Sequence, residues 1–169
     1  MQFETLYQEL ACGAEIVGKL VTGVTQAEAR SRPNPESWSV LEVVCHLVDE
    51  EREDFRQRLD IMLHRPDEPW PPIDPKGWVT GRKYNDRDLA EMLDRFVAER
   101  GQSLAWLRGL AAPNWEAEYL APFGPIKAGD MLAAWVAHDN LHMRQLVELR
   151  RSRVVHLTEP YDVQYAGDW

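Results

Sequence analysis

Apolar residues recur along this chain at alternating spacings of three and four, in four separate stretches. Phe3, Leu6, Leu10, Ala14, Val17, Val21 and Val24 form the first stripe. That spacing lines one face of a helix and predicts a helix over 3–24. It must end before Arg32-Pro-Asn-Pro35, whose prolines cannot continue a helix. The second stretch opens at Ser39 with Glu42 three residues on, the pattern in which each side chain accepts from a free amide of the first turn. It continues through Val44, Leu47, Val48, Phe55, Leu59 and Met62 and stops near His64, because Pro66 disfavours helical geometry before it. The expected span is 39–64. The third stripe is Leu89, Leu93, Phe96, Arg100, Leu104, Leu107 and Leu110, with Asn85 or Asp86 as cap, and predicts 86–110. The fourth is expected over 130–151, centred on Leu132, Met143 and Leu146, with a tail of no clear period over 152–169.

Two long connections separate these stretches. Residues 65–85 have no helical period and hold five prolines with Trp70 and Trp78. Two tryptophans argue for an ordered loop lying on the rest of the molecule, as a pocket lid or wall. Residues 112–129 alternate weakly over Trp115–Tyr119, and Phe123-Gly-Pro125 signals a turn, so a small hairpin is expected there. Four helices of about 20 residues imply an all-α four-helix bundle in a single domain, 1–169. A 26-residue second helix spans about 39 Å. The 21-residue connection after it extends well over ~60 Å, enough to return along the bundle and let helices two and three run parallel.

Composition narrows the partners. The net charge is −9, from 19 basic and 28 acidic residues. Such a surface repels phosphate backbones, so no nucleic-acid partner is expected. No apolar run reaches the about 18 residues of a membrane span. The N-terminal residues lack the basic and apolar regions of a signal peptide. Cys12 and Cys45 make no disulfide framework, so a cytoplasmic chain with reduced thiols is expected.

The chemistry concentrates in histidines. His138 and His142 lie four residues apart on the fourth helix, so both imidazoles leave one face at neighbouring heights. That pair is a common way to offer two nitrogens to one divalent metal. His46, on the second helix, completes a three-imidazole set if the bundle brings it alongside. All three fall off the apolar stripes, which predicts a site at the rim of the bundle, open to a cleft. The bland reading of each as a solvated surface residue stands beside the metal reading. Glu50, one turn beyond His46, is the candidate fourth ligand, general base or plain surface acid, with Asp49 as a weaker candidate. His64 points the same way as His46 but lies about 27 Å along the axis and cannot share its metal. His156 falls in the tail. Cys45, near the stripe, reads as a small buried residue. Arg82 and Lys83 form a small basic spot that suits an anionic group or a solvated loop, and Trp38 and Trp135 read as core or pocket wall.

Two of these segments resemble a known family. Trp38-Ser-Val-Leu-Glu-Val-Val-Cys-His46-Leu is similar to the start of the second helix in the DinB/YfiT superfamily of small metal-dependent enzymes, and His138-Asp-Asn-Leu-His142 is similar to its last-helix signature. The resemblance covers nearly the whole chain. It implies up-down-down-up topology and a divalent metal, zinc or nickel, on His46, His138 and His142. It also implies frequent homodimers and, in some relatives, a low-molecular-weight thiol such as bacillithiol, mycothiol or glutathione as cosubstrate.

The resulting expectation is a divalent-metal-dependent enzyme acting on a small molecule, a hydrolase or thiol S-transferase, with Glu50 as proton acceptor. The alternatives are a non-catalytic metal- or ligand-binding protein and a structural dimeric bundle.

Overall fold

The computed structural model describes residues 2–169. Seven helices carry the chain: α1 (Phe3–Leu20), α2 (Gln26–Arg30), α3 (Val40–Asp49), α4 (Arg56–His64), α5 (Pro75–Gly81), α6 (Leu89–Gly109) and α7 (Ala128–Thr158). A π-helical segment, Glu50–Phe55, joins α3 to α4 without a break, so the expected second helix exists with an irregular middle. Strands β1 (Glu118–Ala121) and β2 (Gly124–Lys127) form the expected hairpin, with Glu118 opposite Lys127 and Ala121 opposite Gly124.

The long elements α1, α3–α4, α6 and α7 make a four-helix bundle, and their cross-contacts fix its directions. Arg108 pairs with Glu4, and Arg100 donates to the Leu10 carbonyl, so α1 and α6 are antiparallel. Arg150 donates to the Leu20 carbonyl while Gly13 lies beside Asp139, so α1 and α7 are parallel. Ser39 bonds Asn85, and further along Arg56 bonds Ser103, so α3–α4 and α6 also run parallel. The result is up-down-down-up. The long second connection makes it feasible, since parallel neighbours need a return path along the bundle.

Local signals account for the ends. Ser39 caps α3 reciprocally with Glu42, whose amide donates to Ser39 Oγ at 3.2 Å, and the Ser39 amide donates back to the carboxylate at 2.8 Å. Four boundaries differ from the sequence expectation. The first helix stops at Leu20 rather than residue 24, because Gly23 turns at φ +79° and Arg150 and Arg153 take up the freed carbonyls of Leu20, Thr22 and Gly23. The third helix begins at Leu89, since the cap is Asp88, accepting from the Glu91 amide at 3.0 Å. The expected loop 65–85 contains α5, a helix of seven residues capped by Asp74 with proline at its start, too short to show a period. The last helix continues to Thr158, seven residues past Arg151, and the remaining tail folds back so that Trp169 Nε1 donates to Glu148 at 2.6 Å. Arg150 and Arg153 anchor that extension to the α1 end, a polar attachment that an apolar stripe does not report.

The core is divided in two. One apolar cluster gathers around Val17, Leu41, Val44, Phe96 and Leu146, the other around Leu10, Leu59, Leu107, Leu132 and Trp135. Between them α3–α4, α6 and α7 turn polar while staying buried: Glu50, Glu51 and Asp54 on the π segment, Arg100 and Ser103 on α6, Asp139 and His142 on α7. A buried polar belt across the middle of a bundle is costly unless its groups are satisfied.

Candidate metal centre

His46, His138 and His142 meet. The antiparallel packing of α3 against α7 brings His46 Nε2 to 3.3 Å from His138 Nε2, and the four-residue spacing on α7 sets His142 Nε2 at 3.1 Å from the same atom. The three offered nitrogens all lie within 4.8 Å of one another, and among the described residues no other such group of three occurs.

The site is buried, not at the rim. His46 is 4 % and His142 6 % exposed, with His138 the most open of the three. The stripe argument failed because α3 is covered on all sides: every residue from Val40 to Asp49 is buried. Trp38 walls the cluster, stacked parallel to His142 with ring centres 6.3 Å apart and edge-on to His46 at 4.9 Å. Phe55 closes the His138 side at 4.9 Å.

Burial first, then the mutual repulsion that three charged rings would feel, keeps these imidazoles neutral. His46 is lowered to about 2, His138 to about 3, with Arg100 adding to the latter, and burial lowers His142 as well. Neutral imidazole is the form that binds metal. The second nitrogen of His142 faces Gln145 Oε1 at 2.9 Å, which places its proton on Nδ1 and turns a bare Nε2 lone pair into the cluster. His138 Nε2 then faces two ring nitrogens with at most one proton to share. A cation serves all three: tetrahedral coordination at ordinary metal–nitrogen lengths puts ligand nitrogens about 3.3 Å apart. The donor set therefore fits a divalent ion.

Glu50 lies on the far side of His46. Its Oε1 is 3.9 Å from His46 Nδ1, the nitrogen turned away from the cluster, and neither atom has another partner. It stands behind His46, outside the group of three clustered nitrogens. Burial, then Asp54, pushes its carboxyl up to about 8. Asp49, the weaker candidate, accepts from Tyr84 Oη at 2.7 Å and pairs with Arg82 at 2.7 Å. Arg82 also forks onto Glu53, so it is engaged by carboxylates. His64 sits apart, exposed and paired with Asp60 at 2.9 Å, and His156 pairs with Glu159 near the end of α7. Cys45 is buried, its thiol pushed up to about 12 by burial and by Asp49. The 65–85 connection packs against the bundle as expected: Trp78 and Val79 join the apolar cluster around Val17 and Leu41, and Trp70 packs against the other cluster while stacking on Tyr119 of the hairpin at 4.5 Å.

Sequence reasoning missed the largest polar cluster in the belt. Arg100, 1 % exposed, bonds Glu51 and Asp139 together, and Trp135 Nε1 donates to Glu51 at 2.9 Å. The signal was available: Arg100 falls in phase with the leucines of its own stripe, so its charge had to be buried and matched.

Comparison with known proteins agrees with this architecture. A family model described as the DinB superfamily matches residues 14–146, a span that includes all three histidines. A solved structure, YfiT from Bacillus subtilis, described as a probable metal-dependent hydrolase with an unusual four-helix bundle topology, superposes with a TM-score of 0.79 at 22% identity, covering 89% of this chain and 86% of that one. No curated protein matches the sequence.

Proposed function

The chain belongs to the DinB superfamily, and we propose that it is a divalent-metal-dependent enzyme that hydrolyses a small molecule, with His46, His138 and His142 as the metal ligands. One observation carries the reading: three imidazoles from two helices bring their Nε2 atoms together, His138 lying 3.1 Å from His142 and 3.3 Å from His46. A zinc or nickel ion held there by three uncharged ligands would keep its full charge and lower the pKa of a bound water or thiol toward neutrality. The printed description of YfiT as a probable metal-dependent hydrolase supports hydrolysis over the other reactions such a centre allows.

The chain's own residues divide the work. Gln145 holds the His142 tautomer. Glu50, 3.9 Å from His46 Nδ1, is the proposed proton acceptor, and the proton its position addresses is the one on that ring nitrogen. A nearby cation would draw its raised carboxyl back to the ionised, basic form. Trp38 and Phe55 exclude water from two sides of the cluster. We further propose that the protein is a homodimer and cytoplasmic; sedimentation checks the first.

Elemental analysis of protein purified without chelators tests the reading. Wild type is expected to hold close to one equivalent of metal, and alanine at any one of the three histidines to lower it at least tenfold. Unchanged stoichiometry in all three variants removes the proposal. Screening small esters and amides, with and without a low-molecular-weight thiol, then separates hydrolysis from thiol transfer.

A further inference from the structure

We infer that Arg100 is a positioning residue for the histidine cluster, a buried clamp that fixes the spacing between the two helices that carry it. The inference rests on the metal reading of His46, His138 and His142 and adds to it a residue that touches none of them.

The argument begins with what the guanidinium does. Its Nε and one terminal nitrogen donate to the two oxygens of Glu51 at 2.8 and 2.9 Å. Its terminal nitrogens donate to the two oxygens of Asp139 at 2.6 and 2.9 Å. The last donor reaches the Leu10 carbonyl at 2.5 Å. All five N–H groups are therefore spent, in a planar fork that lysine cannot reproduce. One side chain of α6 thus ties α1, the π segment and α7 together at a single level.

The position of the two carboxylates makes this more than bundle glue. Glu51 follows Glu50 by one residue, and Asp139 follows His138 by one. The clamp therefore grips the backbone immediately next to the proposed proton acceptor on one helix and next to a proposed ligand on the other. Metal–ligand distances tolerate only about 0.2 Å. Apolar packing between two helices does not enforce that, because core side chains repack with modest cost. A bidentate pair on each side of a rigid plane does.

Stability does not explain the arrangement on its own. A buried ion triad is often matched or exceeded by apolar residues of similar volume. The two apolar clusters flanking the belt show that this bundle packs such residues well. Here a buried arginine instead stands at the level where the ligands must be held.

The test uses Co2+ as probe, read by its visible absorption and by competition for the dissociation constant, beside a melting curve for each protein. In the triple variant Glu51→Leu, Arg100→Met, Asp139→Leu the clamp is replaced by packing. The expected result is a folded protein whose Co2+ affinity is weaker by about 10–100-fold, with an altered absorption band. If that variant does not fold, Arg100→Lys, which keeps the charge and loses the fork, is expected to bind Co2+ about tenfold more weakly. Arg108→Met, which breaks the α6–α1 pair with Glu4, serves as control and should leave the affinity within about twofold. A folded clamp variant with wild-type affinity and band overturns the inference, whatever its melting temperature. A wild type that takes up no Co2+ overturns the metal reading, and this inference with it.

Discussion

Two buried polar clusters share the middle of this bundle, and they are built in opposite ways. Around Arg100 the charges complement each other and every guanidinium donor is spent on a protein oxygen. Around His138 three acceptor-bearing rings crowd together, with burial holding them neutral and no protein donor set to satisfy them all. The first cluster is complete as folded. The second, on the proposed reading, is the place where a cation would supply what the protein does not. Burial alone marks neither as functional; what separates them is whether the protein supplies its own partners.

The largest effect expected comes from breaking the complete cluster. Arg100→Met alone leaves Glu51 and Asp139 buried without their counter-charge, and burial already raises the Asp139 carboxyl. Urea unfolding should show a loss of about 3–5 kcal/mol. A loss below about 1 kcal/mol would mean that the carboxylates find water or protons readily, and the contrast between the clusters would lapse.

The histidine cluster should respond to an added cation instead. Saturating Zn2+ or Ni2+ at 100 to 1,000 times the dissociation constant is expected to stabilise wild type by about 2.7–4 kcal/mol. The gain should disappear in His138→Ala and after a chelator is added. Equal metal-induced shifts in wild type and His138→Ala would place the binding elsewhere.

A more gradual effect, spread over several pH units, lies in the pH dependence of the metal-free protein, which has two limbs of opposite sign. His46 and His138 are lowered from 6.5 to about 2 and about 3. Between those values the unfolded chain gains protons that the folded rings refuse, so stability is full above pH 6.5 and falls as pH drops toward 3. Glu50 is raised from 4.5 to about 8. Its contribution is present below 4.5 and is lost as pH rises through 8. Denaturant titrations from pH 4 to 9 should therefore find His138→Ala flattening the acid limb and Glu50→Gln the alkaline limb. A Glu50→Gln profile that parallels wild type above pH 6 would mean that the carboxyl is not held in its neutral form.

How much of this the sequence disclosed follows from the length scale of each signal. Patterns repeated over many turns, the four apolar stripes and the Ser39–Glu42 cap, located the bundle and the start of α3. The His138–His142 spacing located two of the three rings because four residues suffice to align two side chains on a helix. His46 entered as a third member on condition that the bundle brought it alongside, and the resemblance implied the same residue. The stripe angles argued for the rim, since they cannot see that α2, α5 and α6 also cover α3. The π segment at Glu50–Phe55 was invisible, because one extra residue per turn changes hydrogen bonding without changing composition. Arg100 was visible as a misfit and was passed over, since a charge in an apolar stripe announces burial without naming its partners.

The smallest effect tests the complete cluster most finely, through two glycines of α1. In a helix interior alanine is favoured over glycine by about 0.5–1 kcal/mol. At Gly18 nothing lies within 4 Å of an added methyl group, so Gly18→Ala should stabilise by about that amount. At Gly13 the methyl would stand 2.5 Å from Asp139 Oδ2 and 3.3 Å from Arg100 Nη1. Asp139 cannot step aside without loosening its bonds to Arg100, so Gly13→Ala should cost about 1 kcal/mol net despite the same helix propensity. Melting curves of the two single variants measure the difference directly. If both stabilise alike, the Arg100 cluster yields to a methyl group, and a network that soft does not hold the histidine-bearing helices at a fixed separation.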